Sequence, residues 1–135
     1  MNLIIGFVGL THLGFTYTLA CSKKGFKVKA FDFDRKLIAE LNKGNLHIKE
    51  PNAEKILKKN KEKIEFTSDI KKLLKCNIIF FSYDTPTNNN LKSNFFFIKK
   101  KINQTLRYIP KKSYFIILSQ AIPGFSKKID FPKNR

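Results

Sequence analysis

The sequence predicts an α/β fold of three layers, with a mainly parallel sheet between helices, in a single domain. Three observations predict it. Short apolar runs alternate with helix-length amphipathic segments along the chain, the pattern of a parallel sheet covered on both faces. The first apolar run ends in a glycine turn, Gly9-Leu10-Thr11-His12-Leu13-Gly14, which leads directly into a helix-length segment. An acidic residue, Asp32, closes the second apolar run 18 residues beyond Gly14. The length of 135 residues and the hydrophobic fraction of 42% suit one domain with a true core.

The elements follow in order. Asn2–Val8 is a short apolar run stopped by Gly9 and reads as a buried strand. Leu13–Lys24 carries Leu13, Tyr17, Ala20 and Cys21 at helical spacing, which predicts an inward face made of those residues, with Gly25 as the stop. Lys27–Phe31 alternates and reads as the second strand. Asp34–Lys43 is a helix with Leu37, Ile38 and Leu41 inward and Gly44 at its end. Glu50-Pro51 opens a further helix, with Pro51 in the first turn and Ala53, Ile56 and Leu57 as its apolar stripe.

Ile64–Phe66 is a brief strand, and Ser68 reads as the N-cap of a short helix through Leu74. Asn77–Ser82 is a strongly apolar strand, followed by a turn-rich loop over Asp84–Asn90. Lys92–Arg107 is a helix in which Phe95, Phe96 and Phe97 cannot share one face, so at least one is exposed or covered by a partner. Tyr114–Leu118 is the last strand and Ser119–Phe125 a loop. Residues 126–135 read as a polar C-terminal tail apart from Ile129 and Phe131, which leaves residues 1–125 as the folded domain. In a parallel α/β sheet, ligands bind at the carboxyl ends of the strands. Those ends are Gly9, Asp32, Ser82–Thr85 and Ser119-Gln120, four separated segments on one edge.

The glycine turn sits where a Rossmann-like fold binds the pyrophosphate of a dinucleotide. Gly9 makes the tight turn out of the strand, and Gly14 lets the helix pack closely. Thr11 stands where the usual motif has its middle glycine; its β-carbon crowds the phosphate, while its hydroxyl offers a hydrogen bond. The helix start, through Leu10, Thr11, His12 and Leu13, offers N–H groups and a positive dipole end to an anion. His12 either faces the cofactor or is only a turn residue. Asp32 is the expected acceptor for a ribose hydroxyl and favours NAD over NADP, a preference softened by the neighbouring Arg35. A triphosphate-binding loop of the G-x-x-x-x-G-K-[ST] type is ruled against by Phe15 in the lysine position. The plain structural alternative is that the glycines only shape a strand–helix turn.

The net charge of +17 raises nucleic acid or anionic surfaces as partners. Yet the basic residues are nearly all lysine, with only Arg35, Arg107 and Arg135 as arginine, and base and phosphate recognition leans on arginine forks. A solvated lysine surface, amplified by AT-rich codon usage that also favours Asn, Ile and Phe, is the simpler account. Cys21 and Cys76 read as core residues in a reducing compartment, and no spacing suggests a metal or a nucleophilic triad. No apolar run has the length of a membrane span or the build of a leader, so a cytoplasmic protein is expected.

From Met1 to about Gly124 the chain resembles the N-terminal NAD-binding domain of the UDP-glucose/GDP-mannose dehydrogenase family. The resemblance rests on an ordered set of motifs: Gly9–Gly14, Asp32-Phe33-Asp34, Leu41-Asn42-Lys43-Gly44, Glu50-Pro51, Asp84-Thr85-Pro86 and Ser119–Gly124. It implies a nucleotide-sugar 6-dehydrogenase that carries out two NAD-dependent hydride transfers. It implies further that Gly9–Gly14 holds the pyrophosphate and Asp32 the adenosine ribose, with Tyr83, Thr85, Ser119 and Gln120 lining the cleft. Thr11, Leu37 and Gln120 depart from the family pattern. No residue matches the family's catalytic cysteine or its lysine and asparagine helpers, which belong to segments beyond this domain. The resemblance therefore implies a truncated cofactor domain, without the central and substrate domains and unable to complete catalysis alone. A nucleotide sugar would bind only if the missing part were supplied, by a complementing chain or otherwise, and a homo-oligomer stays open. The alternatives are a basic binding module for nucleic acid or an acidic partner, and a non-functional remnant.

Overall fold

The structure, a computed structural model, describes residues 2–90 and 92–131. Its strands are β1 (Ile4–Val8), β2 (Lys27–Phe31), β3 (Ile64–Thr67), β4 (Ile78–Phe81) and β5 (Tyr114–Ile117). Its α-helices are α1 (His12–Lys23), α2 (Arg35–Lys43), α3 (Ala53–Asn60) and α4 (Phe95–Leu106). The strands pair in the order β3-β2-β1-β4-β5, and every pairing is parallel. This is the strand order of a doubly wound sheet, whose switch point lies between β1 and β4. The ladder continues past the carboxyl ends. Gly9 N–H donates to Phe31 C=O, Asp32 N–H to Thr67 C=O, and Ser82 N–H to Val8 C=O.

Apolar side chains fill both faces of the sheet. On one face Phe7, Leu10, Phe15, Leu19, Val28 and Leu57 pack under α1 and α3. On the other, Val8, Phe31, Ile79, Phe81, Ile98 and Ile102 pack against α4. Phe125 and Ile129, from the 3-10 turn that follows β5 and the residue after it, join this second cluster. Residues 132–135 of the expected polar tail lie outside the described residues. Phe95 and Phe97 pack inward from α4, while Phe96 is 77% exposed, so the three phenylalanines divide as the helical geometry requires.

Several sequence expectations are corrected. The buried face of α1 is Gly14, Phe15, Thr18, Leu19 and Ser22, whereas Tyr17 and Ala20 are exposed and Cys21 is half-buried. Gly14 must abut the end of β1, and that contact turns the helix. The hydroxyls on this face are satisfied locally, Thr18 Oγ1 donating to Gly14 C=O and Ser22 Oγ to Leu19 C=O, both at 2.8 Å. The helix after Glu50-Pro51 begins only at Ala53, because Asn52 takes a left-handed φ of 63° as its N-cap and leaves Pro51 in the preceding turn. Asp69, not Ser68, caps the following segment, which is 3-10 over Ile70–Lys75, by accepting Lys71 N–H. The helix expected from Lys92 starts at Phe95, because the Asn94 side chain accepts Phe97 N–H and sets the first turn.

Candidate dinucleotide site

The turn between β1 and α1 is built by its two glycines. Gly9 has a φ of +96°, and a β-carbon there would lie 2.7 Å from the Tyr83 ring. At Gly14 a β-carbon would lie 2.0 Å from Gly9 carbonyl oxygen and 2.5 Å from Ser82 Oγ. Only a glycine lets α1 start this close to β1. Ser82, at the end of β4, locks the turn by donating from Oγ to Gly9 C=O at 2.8 Å.

The start of α1 is open. Thr11 is its N-cap but accepts no first-turn N–H through its side chain; its Oγ1 donates instead to Ser82 C=O at 2.9 Å. The hydroxyl that the sequence suggested for a phosphate is thus spent on the fold. By contrast α2 is capped, with Asp34 accepting Lys36 and Leu37 N–H. An uncapped α1 beside the switch point leaves donors and a positive dipole end for an anion. The residues present fit the phosphates of a dinucleotide here.

The remaining expected residues fall around this turn in different ways. Leu10 is fully buried, its N–H held by Asp32 and its C=O by His47. Leu13 is half-buried, while His12 is exposed and pairs through Nε2 with Glu50. Asp32, 4% exposed, sits at the end of β2 and accepts Leu10 N–H through Oδ2 at 2.8 Å. Through Oδ1 it accepts Asp34 N–H at 2.9 Å and the Tyr83 hydroxyl at 2.7 Å. Arg35 is exposed in the first turn of α2. Thr85 and Ser119 tie the ends of β4 and β5 together: Thr85 Oγ1 donates to Gln120 C=O, and Ser119 Oγ to Tyr83 C=O. Gln120 itself is exposed.

His47 carries no signal in the sequence, and Glu50 stands out there only as part of the Glu50-Pro51 pair. His47 Nε2 lies 2.6 Å from Leu10 C=O and its ring meets Phe15 edge-on, so the loop before α3 braces the glycine turn. A lone histidine in a loop carries no spacing signal that would have revealed this. Neither thiol is poised as a nucleophile. Burial pushes the Cys76 thiol up to about 12 and raises that of Cys21 as well. Among the described residues no group of three or more His, Cys, Asp or Glu is placed to hold a metal, and no helix is long and apolar enough to cross a membrane.

A five-stranded parallel sheet, a glycine turn at its switch point and an acid at the next strand end define a nucleotide-binding domain of the Rossmann type. The family described as "UDP-glucose/GDP-mannose dehydrogenase family, NAD binding domain" matches residues 3–132, and the chain belongs to that family as its NAD-binding domain. An uncharacterized protein of Methanocaldococcus jannaschii is 25% identical over 128 residues, which are 93% of this chain and 14% of that protein. The solved UDP-D-ManNAc dehydrogenase of Pyrococcus horikoshii superposes with a TM-score of 0.85 at 22% identity, over 94% of this chain and 31% of its own. The GDP-mannose dehydrogenase of Pseudomonas aeruginosa, solved as a ternary complex, gives 0.83 at 24% identity, over 96% of this chain and 30% of its own. The chain thus spans less than a third of the length of these relatives.

Proposed function

We propose that this chain is the cofactor-binding part of a nucleotide-sugar 6-dehydrogenase of the UDP-glucose/GDP-mannose type, and that it binds NAD without completing the oxidation alone. The observation that carries this reading is the uncapped start of α1 against Gly9, at the sheet's switch point, with Asp32 closing the adjacent strand. The N–H groups of His12 and Leu13 would receive the pyrophosphate, with Gly9 and Gly14 keeping side chains out of its way. Leu10 and Thr11 contribute backbone to the turn. Asp32 would accept the adenosine ribose, with Arg35 near its rim and Tyr83 as its neighbour. Thr85, Ser119 and Gln120 would border the nicotinamide half at the ends of β4 and β5. Bound NAD supplies hydride acceptance.

The hydride donor, a nucleotide sugar, would need the catalytic cysteine and sugar-binding residues that the family carries outside its NAD-binding domain. Neither Cys21 nor Cys76 is suited to that role, since burial holds both thiols protonated. Residues 1–125 would form the cofactor domain, with Ile129 of the following segment packed back onto it. The two free thiols suit a reducing compartment such as the cytoplasm. Assembly with a second copy or a complementing chain is the arrangement in which a substrate site would be completed.

Titration calorimetry on the folded chain tests the reading. NAD and NADH should give a saturable heat, NADP a weaker one, and a nucleotide sugar none. Absence of any NAD or NADH signal at millimolar ligand refutes it. A steeply salt-dependent retention on a polyanion together with no dinucleotide binding would favour the basic-module alternative.

A further inference from the structure

Asp32, buried at the carboxyl end of β2, carries a carboxylate that the chain itself has nearly filled. An ionised carboxylate offers about four acceptor positions. Here Leu10 N–H, Asp34 N–H and the Tyr83 hydroxyl occupy three of them, at 2.8, 2.9 and 2.7 Å. The two N–H donors are backbone of the glycine turn and of the α2 approach. The Tyr83 hydroxyl is the one partner of the three that a side-chain rotation can remove.

The path of that side chain is informative. Tyr83 follows β4 and Asp32 follows β2, and β1 lies between those strands. To reach Asp32, the Tyr83 ring therefore crosses the carboxyl end of β1, where a β-carbon on Gly9 would come within 2.7 Å of it. The hydroxyl also accepts Phe33 N–H at 3.1 Å, and the ring is braced by Phe33 on one side and Phe97 on the other. Tyr83 is 8% exposed, and burial, reinforced by the Asp32 charge, raises its phenol so that it stays a donor. A phenylalanine would fill the same space, but only a tyrosine places an O–H on the acid.

We propose that the Tyr83 hydroxyl is a tethered stand-in for a ribose hydroxyl: it leaves about one acceptor position on Asp32, too few for the two hydroxyls of the adenosine ribose, and must leave the acid before both can bind. The inference rests on the NAD reading given above. It makes Tyr83 an affinity-determining residue: the apparent affinity is scaled down to the fraction of molecules in which the tyrosine has left the acid.

Calorimetric NAD titration of the full chain and of Tyr83→Phe tests this. The phenylalanine keeps the ring and its packing but frees one acceptor position on Asp32. Its NAD dissociation constant should fall about tenfold, the order of one charge-assisted hydrogen bond. In the wild-type chain, the Tyr83 hydroxyl proton should be protected from solvent exchange by NMR and lose that protection on saturation with NAD. This second measurement decides the matter if Tyr83→Phe does not fold. An unchanged or higher dissociation constant in folded Tyr83→Phe overturns the inference and leaves NAD binding standing, as does a hydroxyl proton that stays protected at saturating NAD. If neither form binds NAD at millimolar ligand, the NAD reading itself fails and this inference with it.

Discussion

Asp32 Oδ2 accepts the backbone N–H of Leu10 at 2.8 Å, joining the end of β2 to the glycine turn across 22 residues of chain. The acid proposed to hold a ribose is thus also a strut of the turn proposed to hold the phosphate. Replacing it removes the acceptor of two donors in buried bonds, the Leu10 N–H and the Tyr83 hydroxyl, and also that of the part-buried Asp34 N–H.

Asp32→Ala should therefore cost about 3 kcal/mol of stability, the sum expected for two buried donors left unmade, as well as weakening NAD binding. Urea unfolding followed by circular dichroism measures the first effect. A midpoint equal to wild type would mean that the carboxylate supports only ligand. The affinity of this variant has to be read at a temperature where it is folded.

The contact between Gly14 and Gly9 leaves no room for a methyl group. Gly14→Ala places a β-carbon 2.0 Å from a backbone carbonyl that the Ser82 hydroxyl already holds in position. Overpacking against backbone should cost about 3 kcal/mol or more, and the shift of α1 that relieves it would pull the first-turn N–H groups off the proposed phosphate site. Both a lowered thermal midpoint and lost NAD binding are expected. A folded Gly14→Ala with wild-type affinity would contradict the packing described.

Glu65 on β3 links Lys29 on β2, with which it makes a close ion pair, to Lys72, 3.0 Å from its other oxygen. The hydrogen bond from Lys29, with a lesser one from Lys72, holds the Glu65 carboxyl below its ordinary value of 4.5. A carboxyl whose pKa is lowered by folding stabilises the folded state above its unfolded pKa, and that contribution is lost as pH falls through the folded value. Glu65→Gln should destabilise by about 1 kcal/mol at most near neutral pH, since Glu65 and Lys72 are both more than a third exposed and water screens them. The gap between variant and wild type should close as pH drops below 4.5. Denaturant titrations over that range measure it, and a gap independent of pH would rule out the ion pair as its cause.

Much of the fold was legible because its signals are local. The five strands and four helices lie where apolar runs and helical spacing put them, and their ends differ from expectation where a side-chain cap or a left-handed residue decides, as at Asn94, Asp69 and Asn52. The inward face of α1 departs from the sequence pattern because Leu13, Tyr17, Ala20 and Cys21 are the more apolar stripe. The stripe that is buried contains small residues, Gly14, Thr18 and Ser22, chosen by close approach to the sheet. Their spacing of four was the available signal.

The alternation of strand and helix, the glycine turn of Gly9 and Gly14, and the acid after the second strand are all written locally in the chain. Each depends on neighbours within a few turns of chain, so periodicity and residue type suffice to read it. It takes the packed fold to show that Thr11 spends its hydroxyl on Ser82, that His47 braces Leu10, and that Tyr83 lies over Gly9 with its hydroxyl on Asp32. Those contacts join residues 71, 37 and 51 positions apart. The first and third arise because the strand order brings the ends of β2, β1 and β4 side by side, and the second because the loop before α3 folds back over the glycine turn, adjacencies that no local pattern in the chain encodes.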